Sequence, residues 1–367
     1  MIMGVGIDVH KATSSAYAVY AGKGIEKERH VKFLGEFNKE FRDFDSTPEN
    51  YERLMAFVRV HECNVLIENS TKAHEVYWIF RNGGINVIVA HSTDLYRITR
   101  SHKKTDHHDS AELAGYMRRK LNGEVEFSES FIPSPEWMMK REVCRGALYE
   151  KTYLANVKRK IRSHLLLHGI KLRMEYRDIT TRTALAEMGT IDDPYLRMLV
   201  RFAEDAKKRV FMAENTIRTM FSGDSICGLI DSVVGFSHTA AAYMSSLIVD
   251  FERFRSRSEF TASFGVVPRM RSSGASNPNC STTHRGDELM RKRLIECTRA
   301  HIKFAKDSVV TVMYNRLINN GKPKKEALVA AARKLLTVVW SVLKSGEPYS
   351  SDPESLKGAR EMEDSSE

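Results

Sequence analysis

Short apolar runs separated by polar turns dominate the first quarter of the chain. β-Branched and other apolar residues fill Met3 to Val9, and Ser15 to Tyr20 and His30 to Phe37 follow as two more strand-like runs. Ser46-Thr47-Pro48-Glu49 joins an N-cap residue, a proline and an acid, a combination that begins a helix, and amphipathic spacing extends this helix to about Val60. The pattern then predicts a buried strand, a helix and a final strand, over Asn64 to Asn69, Ala73 to Phe80 and Ile85 to Ala90.

This order of elements, β-β-β-α-β-α-β, is the order of a ribonuclease-H-like (RuvC-like) domain with a mixed sheet. The pattern changes after Pro135, because Leu, Met, Ile and Val recur at spacings of three and four among many Lys and Arg residues. That spacing predicts long helices paired as a coiled coil, followed by a mainly helical domain that ends in the basic amphipathic helix Lys324 to Leu343. The predicted fold class is therefore α/β plus α. The domains are expected at residues 1–134, 135–223 and 224–347, with an acidic, disordered tail at 348–367.

Composition restricts the classes of protein to which this chain can belong. At 367 residues and 42% hydrophobic content, the chain is long enough for two or three domains with cores of their own. Its five cysteines form no CxxC pair, which argues for reduced thiols rather than disulfides or structural zinc. No apolar run is long enough to cross a bilayer and no secretory signal is readable, so we expect a cytoplasmic protein without a membrane partner. The net charge of +10 suits a polyanionic partner such as nucleic acid.

Two carboxylates interrupt predicted strands that are otherwise apolar. Asp8 lies in Gly6-Ile7-Asp8-Val9, and Glu68 lies in Val65-Leu66-Ile67-Glu68. Burying an ionised carboxylate is costly unless it is paired or bound to a metal. A bound cation would supply that compensation.

A third acidic segment, Lys104-Thr105-Asp106-His107-His108-Asp109, predicts the start of a helix with a threonine N-cap. Asp106 and Asp109 are three residues apart and so share one face of the first turns. A simpler interpretation is that both acids favour the positive end of the helix dipole, at ~0.5 kcal/mol each. Together with Asp8 and Glu68, however, they offer four oxygen ligands from two strands and one helix, a set that suits Mg²⁺ or Mn²⁺. A pair of such ions can activate a nucleophile and stabilise the leaving oxygen at a phosphodiester, so the four acids predict nuclease or strand-transfer chemistry.

Several of these segments resemble a known family. The opening Gly-Ile-Asp-Val-His-Lys, the Ile-Glu-Asn strand and the Lys-Thr-Asp-x-x-Asp-Ser-Ala helix are similar in order and spacing to the RuvC-like domain of the insertion-sequence 110 family of transposases. Piv-type DNA invertases are close relatives of that family. Three stretches of the C-terminal half resemble further motifs of the family: Ser263 to Arg269 followed by Ser272-Ser273-Gly274, then Thr283 to Asp287, and Gly321 to Ala330. The resemblance covers most of residues 1 to 350.

The resemblance implies a mechanism and a set of partners. In that family the acidic quartet acts with a serine of the C-terminal transposase domain, which attacks the DNA phosphate and forms a covalent 5′-phosphoserine intermediate. By position this serine is Ser273, with its neighbour Ser272 as the alternative. The resemblance also implies a prokaryotic, nucleoid-associated enzyme that acts on donor and target DNA selected by an element-encoded bridge RNA. It further implies a homodimer that assembles into a tetramer, in which the serine of one subunit completes the acidic site of another.

Basic residues near the proposed site predict contacts with a nucleic-acid backbone: Lys104, Arg269, Arg271 and Arg285. A further basic cluster, Lys158 to Arg162, makes the helical middle region a candidate surface for RNA. Nothing in the chain resembles a helix-turn-helix or zinc-finger reader of base edges.

Three other interpretations remain open on the sequence. The chain could be a site-specific invertase that acts without a guide RNA. It could be a RuvC-like nuclease or junction resolvase that uses water as the nucleophile, with the C-terminal half serving only in binding. It could also be a non-catalytic nucleic-acid scaffold that keeps the acids as relics.

Overall fold

A computed structural model of the chain describes residues 3–21, 26–61, 63–91, 106–127, 129–266 and 286–350. Of residues 26–32 and 106–108 it describes the backbone alone. The chain divides into two compact units, Met1–Ser134 and Pro135–Glu367.

The first unit is built on a five-stranded mixed sheet. Its strands are β1 (Met3–Val9), β2 (Thr13–Tyr20), β3 (Phe44–Asp45), β4 (Cys63–Glu68) and β5 (Asn86–Ala90), in the spatial order β3-β2-β1-β4-β5. β1 pairs antiparallel with β2 and parallel with β4, and β4 pairs parallel with β5. The parallel strands are apolar on both faces, as expected for strands that helices cover on both sides.

Helices cover both faces of this sheet. They are α1 (Glu26–Glu40), α2 (Pro48–Val60), α3 (Ala73–Asn82) and α4 (Asp106–Leu121). The odd-numbered residues of β1 and β4, such as Ile7 and Ile67, share a core with Phe37, Leu54 and Phe80 from α1, α2 and α3. The other face carries a smaller core, in which α4 packs on Leu66 and its neighbours. The α2 helix begins as predicted, because the Thr47 side chain accepts a hydrogen bond from the Asn50 N–H and Pro48 occupies the first turn.

The predicted strand at His30 to Phe37 is wrong, because these residues belong to α1. The short apolar run predicted a strand, but a helix buries the apolar side chains better, since Phe37 and Phe41 are both buried and lie one helical turn apart. The third strand, β3, is only two residues long. Beyond it, Asn38 takes the place of a strand partner, because its amide accepts from the Ala18 N–H (2.7 Å) and donates to the Ala18 carbonyl (3.1 Å).

Segments outside the sheet bond to β2, beyond the short strand β3, and to the outer strand β5. On the β2 side the Phe41 carbonyl accepts from the Ala16 N–H, next to the pairing of Asn38 with Ala18. On the β5 side the Ser130 N–H donates to Val89, and Glu129 forms a bridge with Ala90.

The helix α4 approaches β1 closely because β1 carries glycine where the two meet. A Cβ atom at Gly6 would lie 2.3 Å from both the Ala114 nitrogen and the Ser110 oxygen of α4. A Cβ atom at Gly4 would lie 3.0 Å from the Arg118 nitrogen. Backbone thus packs on backbone, which fixes both the height and the direction of α4 over the sheet.

The second unit begins with a pair of long helices. α5 (Pro135–Leu167) and α7 (Pro194–Met220) run antiparallel, since the C-terminal half of α5 shares a core with the first half of α7 and the N-terminal half meets the end of α7. A short helix, α6 (Arg182–Gly189), packs at the end where the two are connected. The predicted pairing of long helices is thus an antiparallel pair within one chain.

Six further helices follow in the second unit, and the last of the six packs among the other five. They are α8 (Ser225–Asp231), α9 (His238–Ile248), α10 (Arg257–Ser263), α11 (Glu288–Phe304), α12 (Val309–Asn319) and α13 (Lys324–Ser345). α13 is buried along most of its length and shares one core with α8 to α12 and with the base of the α5–α7 pair. Aspartate or serine N-caps start five of these helices, at Asp224, Ser237, Ser256, Asp287 and Ser308. Four cysteines of the described chain, Cys63, Cys144, Cys227 and Cys297, are free and buried. None of the described helices is long and apolar enough to span a membrane.

Substituting Gly6→Ala tests the close packing of α4. The added Cβ would overlap backbone atoms that cannot rotate away, so we expect a loss of roughly 3 kcal/mol in the free energy of unfolding of the first unit. Gly115→Ala on α4 is the matched control, because a Cβ there meets nothing within 4 Å and alanine favours helix by roughly 0.5–1 kcal/mol. Urea unfolding of both variants measures the difference. Equal stability of the two variants would contradict the close contact.

Candidate active site and nucleic-acid interface

Asp8 and Glu68 lie at the same edge of the sheet. Ile7 of β1 pairs with Ile67 of β4, so the next residue of each strand occupies adjacent register positions at the carboxyl ends of two parallel strands. Neighbouring strands are about 4.8 Å apart, and paired positions of parallel strands point to the same face. The structure therefore brings these two predicted ligands together.

The first turn of α4 lies over the same edge. Gly4 contacts Ala114 and Arg118, whereas Gly6 contacts Ser110 and Ala114, so α4 runs antiparallel to β1. Two residues of a strand span about 6.6 Å along its axis, which is close to the length of four residues of an α-helix. One further strand step, from Gly6 to Asp8, therefore reaches residues 106–110, the segment that carries the other two predicted acids.

The burial of these acids differs. Asp8 is 7% exposed, whereas Glu68 and Asp109 are partly exposed. His10 Nε2 lies 3.1 Å from Asp8 Oδ2, close enough for a hydrogen bond. Sequence reasoning did not single out His10 in this role, although its i+2 position on an extended segment places it on the same side of the chain as Asp8.

The turn after β1 is held by side chains from elsewhere in the first unit. Ser46 Oγ donates to the His10 carbonyl at 2.8 Å, and Ser14 Oγ lies 2.7 Å from both Ser46 Oγ and Tyr51 Oη. The Ser46 segment, predicted only as a helix start, thus also fixes the backbone next to Asp8.

Among side chains that the structure describes, no three from His, Cys, Asp and Glu are grouped closely enough to hold a metal ion. That set excludes Asp106, of which the backbone alone is described. Five other predicted site residues lie outside the described residues: Lys104, Arg269, Arg271, Ser273 and Arg285.

The two described residues that flank segment 267–285 are held in the second unit. Gly286 has a positive φ of 85° and packs on the Ser263 carbonyl, which a Cβ would approach to 2.3 Å. On the other flank, the Val266 carbonyl accepts a 3.4 Å hydrogen bond from Arg333 of α13. The chain therefore enters and leaves this segment at neighbouring points.

An ion pair ties the flank at Gly286 to the long helix α5. Arg145 Nη1 lies 2.7 Å from Asp287 Oδ2, while Asp287 Oδ1 accepts from the Met290 N–H as the N-cap of α11. Arg145 also donates to Tyr243 Oη at 3.1 Å. Burial, together with the negative charge of Asp287, raises the pKa of the Tyr243 hydroxyl well above its usual range, so the phenol stays neutral. No sequence motif signals this link, because its members are far apart in the chain.

A basic groove runs along α5. Lys158, Arg159 and Arg162 line a cavity of about 400 Å³ together with Arg293 of α11, and two of these residues also line a neighbouring cavity of about 730 Å³. Arg293 spans from α11 to α5 by donating to Thr152 Oγ1 at 2.8 Å. The predicted basic cluster thus lies in a concave, positively charged surface, the kind of surface along which a nucleic-acid backbone can bind.

One acid in this groove stays ionised at very low pH. Burial opposes the charge of Asp178, but hydrogen bonds from the Thr180 N–H and from Lys158 outweigh it and lower the pKa of Asp178 to about 2. Lys158 Nζ lies 2.9 Å from Asp178 Oδ1. The charge of Lys158 is thus paired with Asp178 at the wall of the groove.

A buried histidine organises the turn between α11 and α12. His301 Nδ1 lies 2.6 Å from the Val234 carbonyl, so Nδ1 carries the proton and donates. Nε2 lies 2.9 Å from Ser308 Oγ, and Ser308 is also the N-cap of α12. Burial lowers the pKa of His301 below its ordinary value of 6.5, which keeps the ring neutral in the folded protein.

Substituting His301→Gln tests this neutral histidine. In the unfolded chain the ring takes up a proton below pH 6.5, but in the folded protein it does so only at lower pH, so folding stability should fall as the pH drops below 6.5. The wild-type chain should lose up to about 1.4 kcal/mol per pH unit from this group, and the variant should lack that component. Denaturant unfolding of both proteins from pH 7.5 to pH 5 measures the slope. Parallel slopes for the two proteins would refute the assignment.

The chain matches known DNA-rearranging proteins. Residues 227–311 match the family described as transposase IS116/IS110/IS902. The transposase for insertion sequence element IS1111A of Coxiella burnetii is 23% identical over 137 residues, covering 37% of this chain and 38% of that protein. The putative transposase y4qE of Sinorhizobium fredii is 21% identical over an alignment of 378 positions, covering 95% of this chain and 90% of that protein. The pilin gene-inverting protein of Moraxella lacunata is 25% identical over 122 residues, covering 33% of this chain and 38% of that protein.

The matched domain contains the flanks of segment 267–285, the Arg145 partner Asp287 and the buried His301. The alignment with the Coxiella protein spans well under half of that protein's length, whereas the alignment with the Sinorhizobium protein spans nearly all of it. Residues 227–311 of this chain are thus similar to the transposase domain of the IS116/IS110/IS902 family, and the relatives that resemble the chain are transposases and a gene-inverting protein.

Proposed function

We propose that this chain is a DNA transposase that cuts and rejoins strands with a metal-binding acidic site and a separate nucleophilic serine. The observation that carries the proposal is the convergence of Asp8, Glu68 and the first turn of α4 at one edge of the sheet, in a chain whose C-terminal domain matches transposases. The strand order β3-β2-β1-β4-β5 supports a ribonuclease-H-like, RuvC-like assignment for the first unit.

The donor set fits a hard divalent cation. Asp8 is a buried carboxylate, Glu68 is its neighbour on the next strand, and Asp106 and Asp109 begin a helix that passes over both. Carboxylate oxygens are the ligands that Mg²⁺ and Mn²⁺ take in proteins. When bound there, such ions would supply Lewis-acid activation of the phosphodiester. His10 would orient the Asp8 carboxylate, and the glycines of β1 would hold α4 at the required height.

Ser273 is the proposed nucleophile, with Ser272 as the alternative. Its hydroxyl oxygen would bond to the scissile phosphorus, its proton would go to solvent or to a nearby base, and the 3′-oxygen of the cut strand would leave. The 5′-phosphoserine ester conserves the energy of the broken bond. Attack by another 3′-hydroxyl would then rejoin the strands and restore the serine. Arg269, Arg271, Arg285 and Lys104 would bind the phosphates around this centre.

Target choice is proposed to come from a bridge RNA, with the chain assembled as a homodimer and then a tetramer. Support for RNA comes from the basic groove of Lys158, Arg159, Arg162 and Arg293, which offers a backbone-binding surface without a base-reading motif. The second candidate is an invertase that needs no RNA, which the likeness to the Moraxella gene-inverting protein favours.

Ser273→Ala tests the nucleophile. We expect it to abolish the protein–DNA adduct, seen as DNA that migrates with protein on a denaturing gel, because alanine lacks the attacking oxygen. Ser272→Ala separates the two candidates, and Ser276→Ala in the same segment is the matched control. Cleavage by Ser273→Ala and Ser272→Ala at the wild-type rate without an adduct would instead establish water as the nucleophile.

Asp8→Asn tests the acidic site in the same assay. Adduct formation should fall by roughly a hundredfold or more, since losing even an outer partner of a metal ligand costs about 10- to 100-fold. The exposed Asp43→Asn on the same unit is the control, and EDTA followed by excess Mg²⁺ should abolish and restore activity of the wild-type chain. Unchanged activity of Asp8→Asn together with Asp109→Asn would remove the acidic site from the mechanism.

Omitting RNA from a recombination assay decides between the guided and unguided enzymes. A chain purified free of RNA should recombine donor and target DNA only when the element's transcript is added back. A scrambled transcript of equal length controls for non-specific charge effects. Undiminished recombination without RNA would favour the invertase.

A further inference from the structure

A cavity of about 360 Å³ lies between α11, α12 and α13, away from the segments discussed above. Its lining residues are Arg299, Ile302, Tyr314, Lys324, Lys325 and Leu328. Three of the six are cations and none is an acid. The proposed function assigns no role to this cavity.

The turn between α12 and α13 brings the two lysines into place. Gly321 has a positive φ of 79°, which ends α12, and Lys322 donates its N–H back to the Leu317 carbonyl. Pro323 then begins α13 without any side-chain cap. The Gly-Lys-Pro-Lys-Lys stretch singled out in the sequence is thus a turn that points its last two lysines at Arg299 of the neighbouring helix.

The three cations lack counter-charges within the described chain. The exposed side chains of Arg299, Lys324 and Lys325 form no ion pair or hydrogen bond with any described residue. Other cations of α11 do: Lys292 pairs with Glu288 at 2.7 Å, and Arg293 pairs with Glu296 at 2.7 Å. Three like charges that line one small cavity repel one another, and an anion among them would relieve that repulsion.

The rest of the lining fits an oxyanion with an organic part attached. The Tyr314 hydroxyl is a neutral hydrogen-bond donor, while Ile302 and Leu328 contribute apolar surface to the lining. Guanidinium and ammonium donors around a phosphate are a common arrangement, in which Arg binds two oxygens and Lys acts as a point charge. The volume accommodates a phosphate with its sugar.

We propose that this cavity binds a backbone phosphate of a nucleic-acid strand. The choice of a strand as the source of the phosphate rests on the proposed function of the chain. The cavity is a second contact for nucleic acid, built around the turn between α12 and α13 and separate from the groove on α5.

The test is the salt dependence of binding to labelled oligonucleotides of random sequence, with EDTA present so that no cleavage occurs. The triple variant Arg299→Gln, Lys324→Gln, Lys325→Gln should bind roughly tenfold more weakly or worse, and its slope of log affinity against log salt should fall by about one, since one neutralised phosphate contributes about 0.9. The matched control is Lys303→Gln, Lys306→Gln, Lys344→Gln, which removes the same charge from exposed positions outside the cavity. Equal losses in the two triple variants would overturn the proposal.

Inorganic phosphate is the second arm, because it distinguishes the source of the anion. Millimolar phosphate should raise the Tm of the wild-type chain and of the control but not that of the cavity variant. The cavity variant could lose the Tm shift in phosphate and yet bind oligonucleotides as well as the control variant does. That result would mean that the cavity takes free phosphate, and it would overturn the assignment to a nucleic-acid backbone. The Ser273→Ala chain run in parallel keeps the outcomes separate, since loss of cleavage there leaves the binding result unaffected.

Discussion

The contact between α4 and the two glycines of β1 is the constraint on which the acidic edge depends. Because the backbone of α4 packs directly on the backbone of β1, the distance of the helix from the sheet is fixed. Its direction follows from the α4 residues that contact Gly4 and those that contact Gly6. An alanine in β1 would lift the helix and separate its first turn from Asp8. The first turn of α4 thus lies over the carboxyl ends of β1 and β4 because of backbone contacts made further along the helix.

In the second unit, polar contacts between residues far apart in the sequence hold the helices in position. The pair of Arg145 with Asp287 joins a long helix to the start of α11, and His301 joins α11 to α12 through the cap residue Ser308. Both links meet at the helix that follows segment 267–285. A shift of α5 would therefore move the flank of that segment, because Asp287 is both the ion-pair partner of Arg145 on α5 and the N-cap of α11.

Local signals allowed most elements to be predicted from the sequence. The apolar runs of β1, β4 and β5 and the cap at Thr47 each depend on neighbours within a few residues, and the structure has these elements where they were expected. The run at His30 failed because alternation over a few residues cannot exclude a helix whose buried side chains, Phe37 and Phe41, lie further along. Asp8 and Glu68 are adjacent because β1 and β4 are neighbours in the strand order. The contacts of His10 and Arg145 and the lining of the α11–α13 cavity join residues whose sequence spacing gives no signal of their proximity.

The bonds that β2 and β5 make to segments outside the sheet have a consequence for assembly. The backbone groups of β2 and β5 that a neighbouring chain could use are engaged by Asn38, by the Phe41 carbonyl and by residues Glu129 and Ser130. Along these positions the sheet offers no template for strand addition, the route by which exposed edges recruit other molecules and aggregate. At these positions a second copy could meet the first unit through side chains but could not lengthen the sheet.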